Sequence, residues 1–165
     1  MANVFDNIVG KKHIVAESSL IKATEVGHIY SLKCHDDLDN GSIVSVGNWV
    51  EAQVFASKDF EKGSRPVFIL TPPMGYNSDR KDYQNECYFY NAKDEIARGY
   101  ELNDGDIFTV SAEAFVGAPE VGKFIDAAYT VADDAAADGF VGEIVEKVVY
   151  SNSVSYRVVV RSIGM

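Results

Sequence analysis

Cys34-His35-Asp36-Asp37, together with Cys87, His13 and His28, are the residues whose types could hold a zinc ion, because thiolate and imidazole are the ligands zinc prefers. Their spacing argues against it. A compact site draws on close Cys-x-x-Cys or His-x-x-x-His pairs, and no two of these residues stand at that separation. Asp36, Asp37 and Asp39 suggest calcium, yet no register places oxygen ligands at the first, third and fifth positions ahead of the required glycine. A solvated acidic turn closed by Asn40-Gly41 accounts for them. Asp104 and Asp106 could share acid/base work, but on either side of Gly105 they more simply favour a turn and bond to its backbone. Gly10-Lys11-Lys12-His13 lacks both the preceding glycine and the hydroxyl of a phosphate loop, and the chain contains no Gly-x-Ser-x-Gly, Gly-x-Gly-x-x-Gly or His-Glu-x-x-His motif. No catalytic set, metal site or cofactor is expected, and the chain reads as non-enzymatic.

What remains is contact chemistry. Trp49, the only tryptophan, stands beside Gly47-Asn48 near an expected turn and reads as either a sheet-edge anchor or a partner-facing residue. Between Gly75 and Lys93 the residues Tyr76, Tyr83, Tyr88, Phe89 and Tyr90 alternate with polar side chains in a pattern that fits neither the helix nor the strand period. This segment is a long loop, with or without a helical turn, and its rings form either a contact surface or a small apolar cluster beneath the loop. Val4, Phe5, Ile8 and Val9 precede the Gly10-Lys11-Lys12 break, so residues 1–12 read as an arm that packs onto something or frays. The candidate interface residues are therefore Val4, Phe5, Ile8, Trp49, Tyr76, Tyr83, Tyr88 and Tyr90.

The elements that must carry these residues are short strands. Gly27 to Leu32 alternates and leads to Asn40-Gly41, the strongest two-residue hairpin signal, with Ser42 to Val46 as the return strand. Gly47-Asn48 is expected to turn the chain again before an alternating run from Val50 to Ala56, giving a meander. Val67 to Leu70 is an apolar run of strand length stopped by Thr71-Pro72-Pro73. Asp104-Gly105 predicts a hairpin between Tyr100-Glu101-Leu102 and Ile107 to Ser111. Lys123 to Ile125 is another short strand, and the Ala/Asp-rich stretch from Val131 to Gly139 reads as an exposed loop or one helical turn. Phe140 to Tyr150, Ser151-Asn152-Ser153 and Val154 to Arg161 make a hairpin with Val154, Tyr156, Val158 and Val160 on one face. Eight to ten such strands favour an all-β barrel or sandwich, with residues 13–165 forming a single β-rich domain behind the arm.

Composition limits the function further. With 165 residues, 47% of them hydrophobic and 24% charged, the chain can bury a core without disulfides. Cys34 and Cys87 read as reduced thiols. Acidic residues outnumber basic ones 25 to 15, a net charge of −10 that repels phosphate backbones and argues against nucleic-acid or anionic-membrane partners. The opening residues lack a basic leader and a sustained apolar run, so no secretory signal is expected, and no segment has the length of a membrane span. The Asn40-Gly41-Ser42 sequon is read as without function.

The succession Leu38-Asp39-Asn40-Gly41-Ser42-Ile43-Val44, Pro66-Val67-Phe68-Ile69-Leu70, Ile96 to Leu102, Gly105-Asp106-Ile107-Phe108 and Val121-Gly122-Lys123-Phe124 resembles the capsid decoration, or cement, proteins of tailed bacteriophages. The resemblance spans roughly residues 26 to 163 and is carried mostly by turns and strand edges. It implies a small β-rich structural protein of the virion, assembled in the host cytoplasm. Such a protein would sit on the capsid exterior, often as a trimer, bind the major capsid protein and reinforce the shell. The Tyr-rich segment 76–90 and the stretch 132–138 have no counterpart in that pattern. The alternative reading is a carbohydrate- or small-molecule-binding β-barrel or sandwich in which Trp49 and the tyrosines stack on the ligand.

Overall fold

A computed structural model describes residues 12–73 and 86–165. Strand β1 (Ala16–Leu20) leads into a single turn of helix, α1 (Ala23–Val26). Five strands then close on themselves: β2 (Ile29–Lys33), β3 (Ile43–Glu51), β4 (Val54–Asp59), β5 (Val67–Ile69) and β6 (Ile96–Glu101). Around this barrel the order is β2-β4-β3-β5-β6, antiparallel except where β2 runs parallel to β4. The chain continues through β7 (Ile107–Ser111), β8 (Phe124–Ile125), β9 (Val131–Ala132), β10 (Val141–Tyr150) and β11 (Ser153–Ser162). These five join β1 in an antiparallel sheet of order β1-β7-β11-β10-β8-β9. The expected all-β class holds, and the barrel is inserted between the first two strands of the open sheet.

Side-chain alternation generates two cores. On β5, Val67 and Ile69 point into the barrel with Leu32, Cys34, Val44 and Ala97, while Phe68 points outward. Outside the barrel, Phe68 and Ile43 meet the inner face of the sheet, supplied by Phe108, Val110, Ile144, Tyr156, Val158 and Val160. Both faces of β5 are therefore covered, which is why Val67-Phe68-Ile69 is apolar without alternation. Inside the barrel space is short. A Cβ on Gly99 would lie 2.5 Å from Val67 Cγ1 and 2.8 Å from Leu32 Cδ1, both fully buried side chains. Gly99→Ala is expected to cost about 1–3 kcal/mol by overpacking, read from the urea midpoint, and an unchanged midpoint would show that the barrel interior has room.

Three expected turns fold differently. Asn40-Gly41 does not close a hairpin, because β2 pairs with β4 and β6 while β3 pairs with β4 and β5. The Asn40 amide is instead buried: its Nδ2 donates to the Thr71 carbonyl and its Oδ1 accepts from Thr71 N, both at 2.9 Å. Asn91 Nδ2 donates to the same Oδ1 at 3.2 Å. The side chain thus substitutes for a strand partner, and the sequon nitrogen is held in a buried hydrogen bond. Gly47-Asn48 lies within β3 at a break in register, and the actual turn falls at Ala52 and Gln53, with φ of 40° and 68°. Asp104-Gly105 is a crossover from barrel to sheet, since β6 is already flanked by β2 and β5. Asp106 fixes this crossover by accepting from Asn103 N at 2.8 Å and Lys22 N at 3.1 Å. Burial holds its carboxyl above the usual range despite those bonds.

The C-terminal hairpin forms where expected, with Ser151 and Asn152 at φ of 49° and 60°. Val131 to Gly139 is a short strand followed by an exposed loop. The region from Gly75 to Lys93 includes one 3-10 turn, Glu86–Tyr88, among its described residues.

Candidate functional site

Two hairpin ends carry apolar side chains with little cover. On the first, Trp49 of β3 stands opposite Phe55 of β4 and is 58% exposed, with Val50 beside it at 43%. The Trp49 and Phe55 rings meet edge to face at 5.2 Å, and Phe55 meets Tyr30 in the same way at 5.9 Å. On the second, Val149 and Val154 face each other across the β10–β11 tip at 78% and 45% exposure. Val154 follows the inward-facing period of β11, but β7 pairs with β11 only between Ser155 and Val159, so the tip projects beyond the ladder. Uncovered apolar side chains grouped on projecting hairpins are the usual material of a contact surface.

Of the residues expected at an interface, Trp49 is exposed on its hairpin. Tyr88 and Tyr90 are half-buried, and Tyr90 stacks on His13 at 4.8 Å. His13 Nδ1 in turn lies 2.5 Å from Asp39 Oδ1, so Tyr90 packs on the segment that leads into β1. Val4, Phe5, Ile8, Tyr76 and Tyr83 lie outside the described residues. Val50 and Val149 were not singled out from the sequence, and Val154, read there as part of the packing face with Tyr156, Val158 and Val160, is instead 45% exposed. The signal that marks them is an apolar residue within three positions of a two-residue turn.

Polar clusters are structural in their geometry. Ser57 Oγ lies 2.8 Å from His35 Nδ1, and His35 Nε2 lies 3.0 Å from Asp59 Oδ1, the order of groups in a hydrolase triad. Here Ser57 is only 3% exposed and its Oγ also accepts the His35 backbone N–H at 3.0 Å. The Asp59 side chain is 99% exposed, so it supplies no buried orienting charge. The cluster ties the chain leaving β2 to β4. Glu101, 3% exposed, points into the barrel end, where Arg65 Nη1 pairs with it, Tyr30 OH donates at 3.0 Å and His28 Nδ1 lies 3.4 Å away. Burial alone would raise its pKa, but these bonds, Arg65 foremost, hold it below the ordinary carboxylate range. Cys34 is pushed up to about 11, chiefly by burial and then by Glu95, which leaves an unreactive thiol. Among the described residues no three His, Cys, Asp or Glu side chains converge to hold a metal ion.

A cleft of about 730 Å³ opens between the barrel and the loops of the sheet, lined by residues that include Ile14, Ile43, Phe60, Ala127, Tyr129 and Phe140. No described helix is long and apolar enough to cross a membrane. No family model, curated protein or solved structure matches this chain.

Proposed function

We propose that the protein is a structural decoration protein that binds the outer surface of a mature phage capsid and stabilises the shell by bridging capsomers, through the major capsid protein and as a trimer of copies. The observation that carries this reading is the pair of projecting hairpins with exposed Trp49–Val50 and Val149–Val154, each grouping two apolar side chains at one tip of an acidic β-fold. It adds to the sequence resemblance. The mechanism is passive: apolar surface is buried across joints that exist only in the expanded lattice, so binding favours that lattice by linkage. Repetition over a shell makes weak contacts collectively tight.

Co-sedimentation with expanded capsids lacking the protein is expected to saturate at a stoichiometry fixed by lattice symmetry, with no binding to unexpanded procapsids or an unrelated particle. Trp49→Ala is expected to weaken attachment by about thirtyfold, the effect of losing an interface hot spot of about 2 kcal/mol. Absence of binding, or equal binding to all three particles, overturns the reading. A second reading, a carbohydrate-binding module, is favoured by the exposed Trp49 ring beside Phe55 and Tyr30. Calorimetric titration against a glycan panel tests it.

A further inference from the structure

Asn40-Gly41 is the only Asn-Gly pair in the chain, and such a pair carries a reaction that needs no enzyme. The Gly41 backbone nitrogen attacks Asn40 Cγ, and the new C–N bond closes a succinimide ring. The Cγ–Nδ2 bond breaks, and the side-chain nitrogen leaves as ammonia with the proton from Gly41 N. Water then opens the ring, either to aspartate or, at the other carbonyl, to isoaspartate, whose main chain runs through the former side chain. Nothing is oxidised or reduced. Glycine in second place makes the reaction fast in an open chain, because no Cβ shields the attacking nitrogen.

In the fold, the groups that must react are all held. Gly41 N, the nucleophile, donates to the Ile69 carbonyl at 2.7 Å. Asn40 Nδ2, the leaving group, donates to the Thr71 carbonyl at 2.9 Å, and Oδ1 accepts from Thr71 N and Asn91 Nδ2. The Gly41 carbonyl accepts from the Tyr129 hydroxyl. Asn40 is 7% exposed, and an atom added to Gly41 Cα would lie 3.0 Å from Val110 Cγ1 and 3.1 Å from Ile14 Cγ2. Ile69 belongs to the barrel and Val110 to the open sheet. Asn40-Gly41 is therefore freed to react only when the two layers part.

We infer that Asn40-Gly41 is a latent self-modification site, silent in the native fold and active in the opened chain, which turns prolonged opening into a permanent loss of the fold. Either product misfits. Aspartate places a carboxylate oxygen where Nδ2 now donates, a buried charge facing the Thr71 carbonyl. Isoaspartate lengthens the main chain by one carbon where Gly41 has no room to shift. The inference is independent of capsid attachment.

The test ages the full-length protein under reducing, mildly alkaline conditions with and without urea, and follows conversion by peptide mass spectrometry. Asn152, exposed in the β10–β11 turn and followed by serine, is the internal reference. In urea Asn40 is expected to convert before Asn152. In the native protein the order should reverse, with Asn40 at least about a hundredfold slower than in urea, since the open fraction of a folded domain is about 10⁻³ or less. Samples aged in urea are then diluted to refold. The refolded fraction should retain intact Asn40, and converted chains should collect in the fraction that fails to refold. Conversion of Asn40 ahead of Asn152 in the native protein overturns the inference. So does a refolded fraction that carries the converted residue in the same proportion as the sample it came from.

Discussion

Phe68→Ala is expected to lower the stability of the protein by about 3–5 kcal/mol, the range for deleting a fully buried phenylalanine ring, measured by urea denaturation at neutral pH. Phe68 is 0% exposed and projects from the outer face of the barrel into the core shared with the sheet. Its ring lies 4.7 Å from that of Phe108, tilted by 35°. Rigid ladders stand on both sides, with β5 between β3 and β6 and β7 between β1 and β11, so neither wall can collapse into the vacated space. The transition should remain single, because the removed ring belongs equally to both layers. Phe108→Ala combined with Phe68→Ala should cost less than the sum of the two, since each ring packs against the other. A midpoint shift no larger than that of a surface substitution would mean that the layers are not docked through this seam.

The second large effect concerns Glu101. Arg65→Met is expected to cost about 1.5–3 kcal/mol at pH 7, the range for hydrogen bonds to a charged group. The lower part of that range applies if water reaches the carboxylate, because the Arg65 side chain is half exposed. The pH dependence carries a definite sign. Glu101 has a folded pKa below its unfolded value, so its contribution is fully present above the unfolded carboxylate range, near pH 4.5. It is lost as pH falls through that range towards the depressed folded value. The stability difference between the native protein and Glu101→Gln should therefore be constant near neutrality and shrink below about pH 4.5. In Arg65→Met, burial becomes the dominant influence and the Glu101 pKa should rise. Urea midpoints across pH 3–8 check both statements, and parallel profiles for the native protein and Glu101→Gln would contradict them.

The strand content was legible because it is written locally. The two-residue period of Val154 to Arg161, the Ser-Asn-Ser turn before it and the proline stop after Leu70 all act over a few residues, and the strands lie where those signals put them. Pairing was less legible. Asn40-Gly41 and Asp104-Gly105 are strong turn signals, yet the strands on either side of each have other partners, and a dipeptide carries no information about which distant edge is open. The barrel is closed by a parallel contact and by ladders between segments far apart in the chain, neither of which leaves a local trace. Glu101 looks like one polar position in an alternating strand; its partner Arg65 lies 36 residues away. At the candidate contact surface, Trp49 was conspicuous by type, whereas Val149 and Val154 resemble core residues until the limits of the neighbouring ladder are known.

Insertion of the barrel between β1 and β7 also sets an order of events at the ribosome. All five barrel strands are available once Glu101 has emerged, whereas β1 must wait for Ile107 to Ser111. In the bare chain, Val15 and Ser111 are 96 residues apart, and closing so long a loop carries a substantial entropic cost. A barrel that has already closed removes most of it. The chain enters beside Lys22 and leaves beside Asp106, and these two are hydrogen-bonded to each other. A finished barrel therefore delivers β1 and β7 as neighbours, and the longest-range ladder of the protein becomes a short-range event in time.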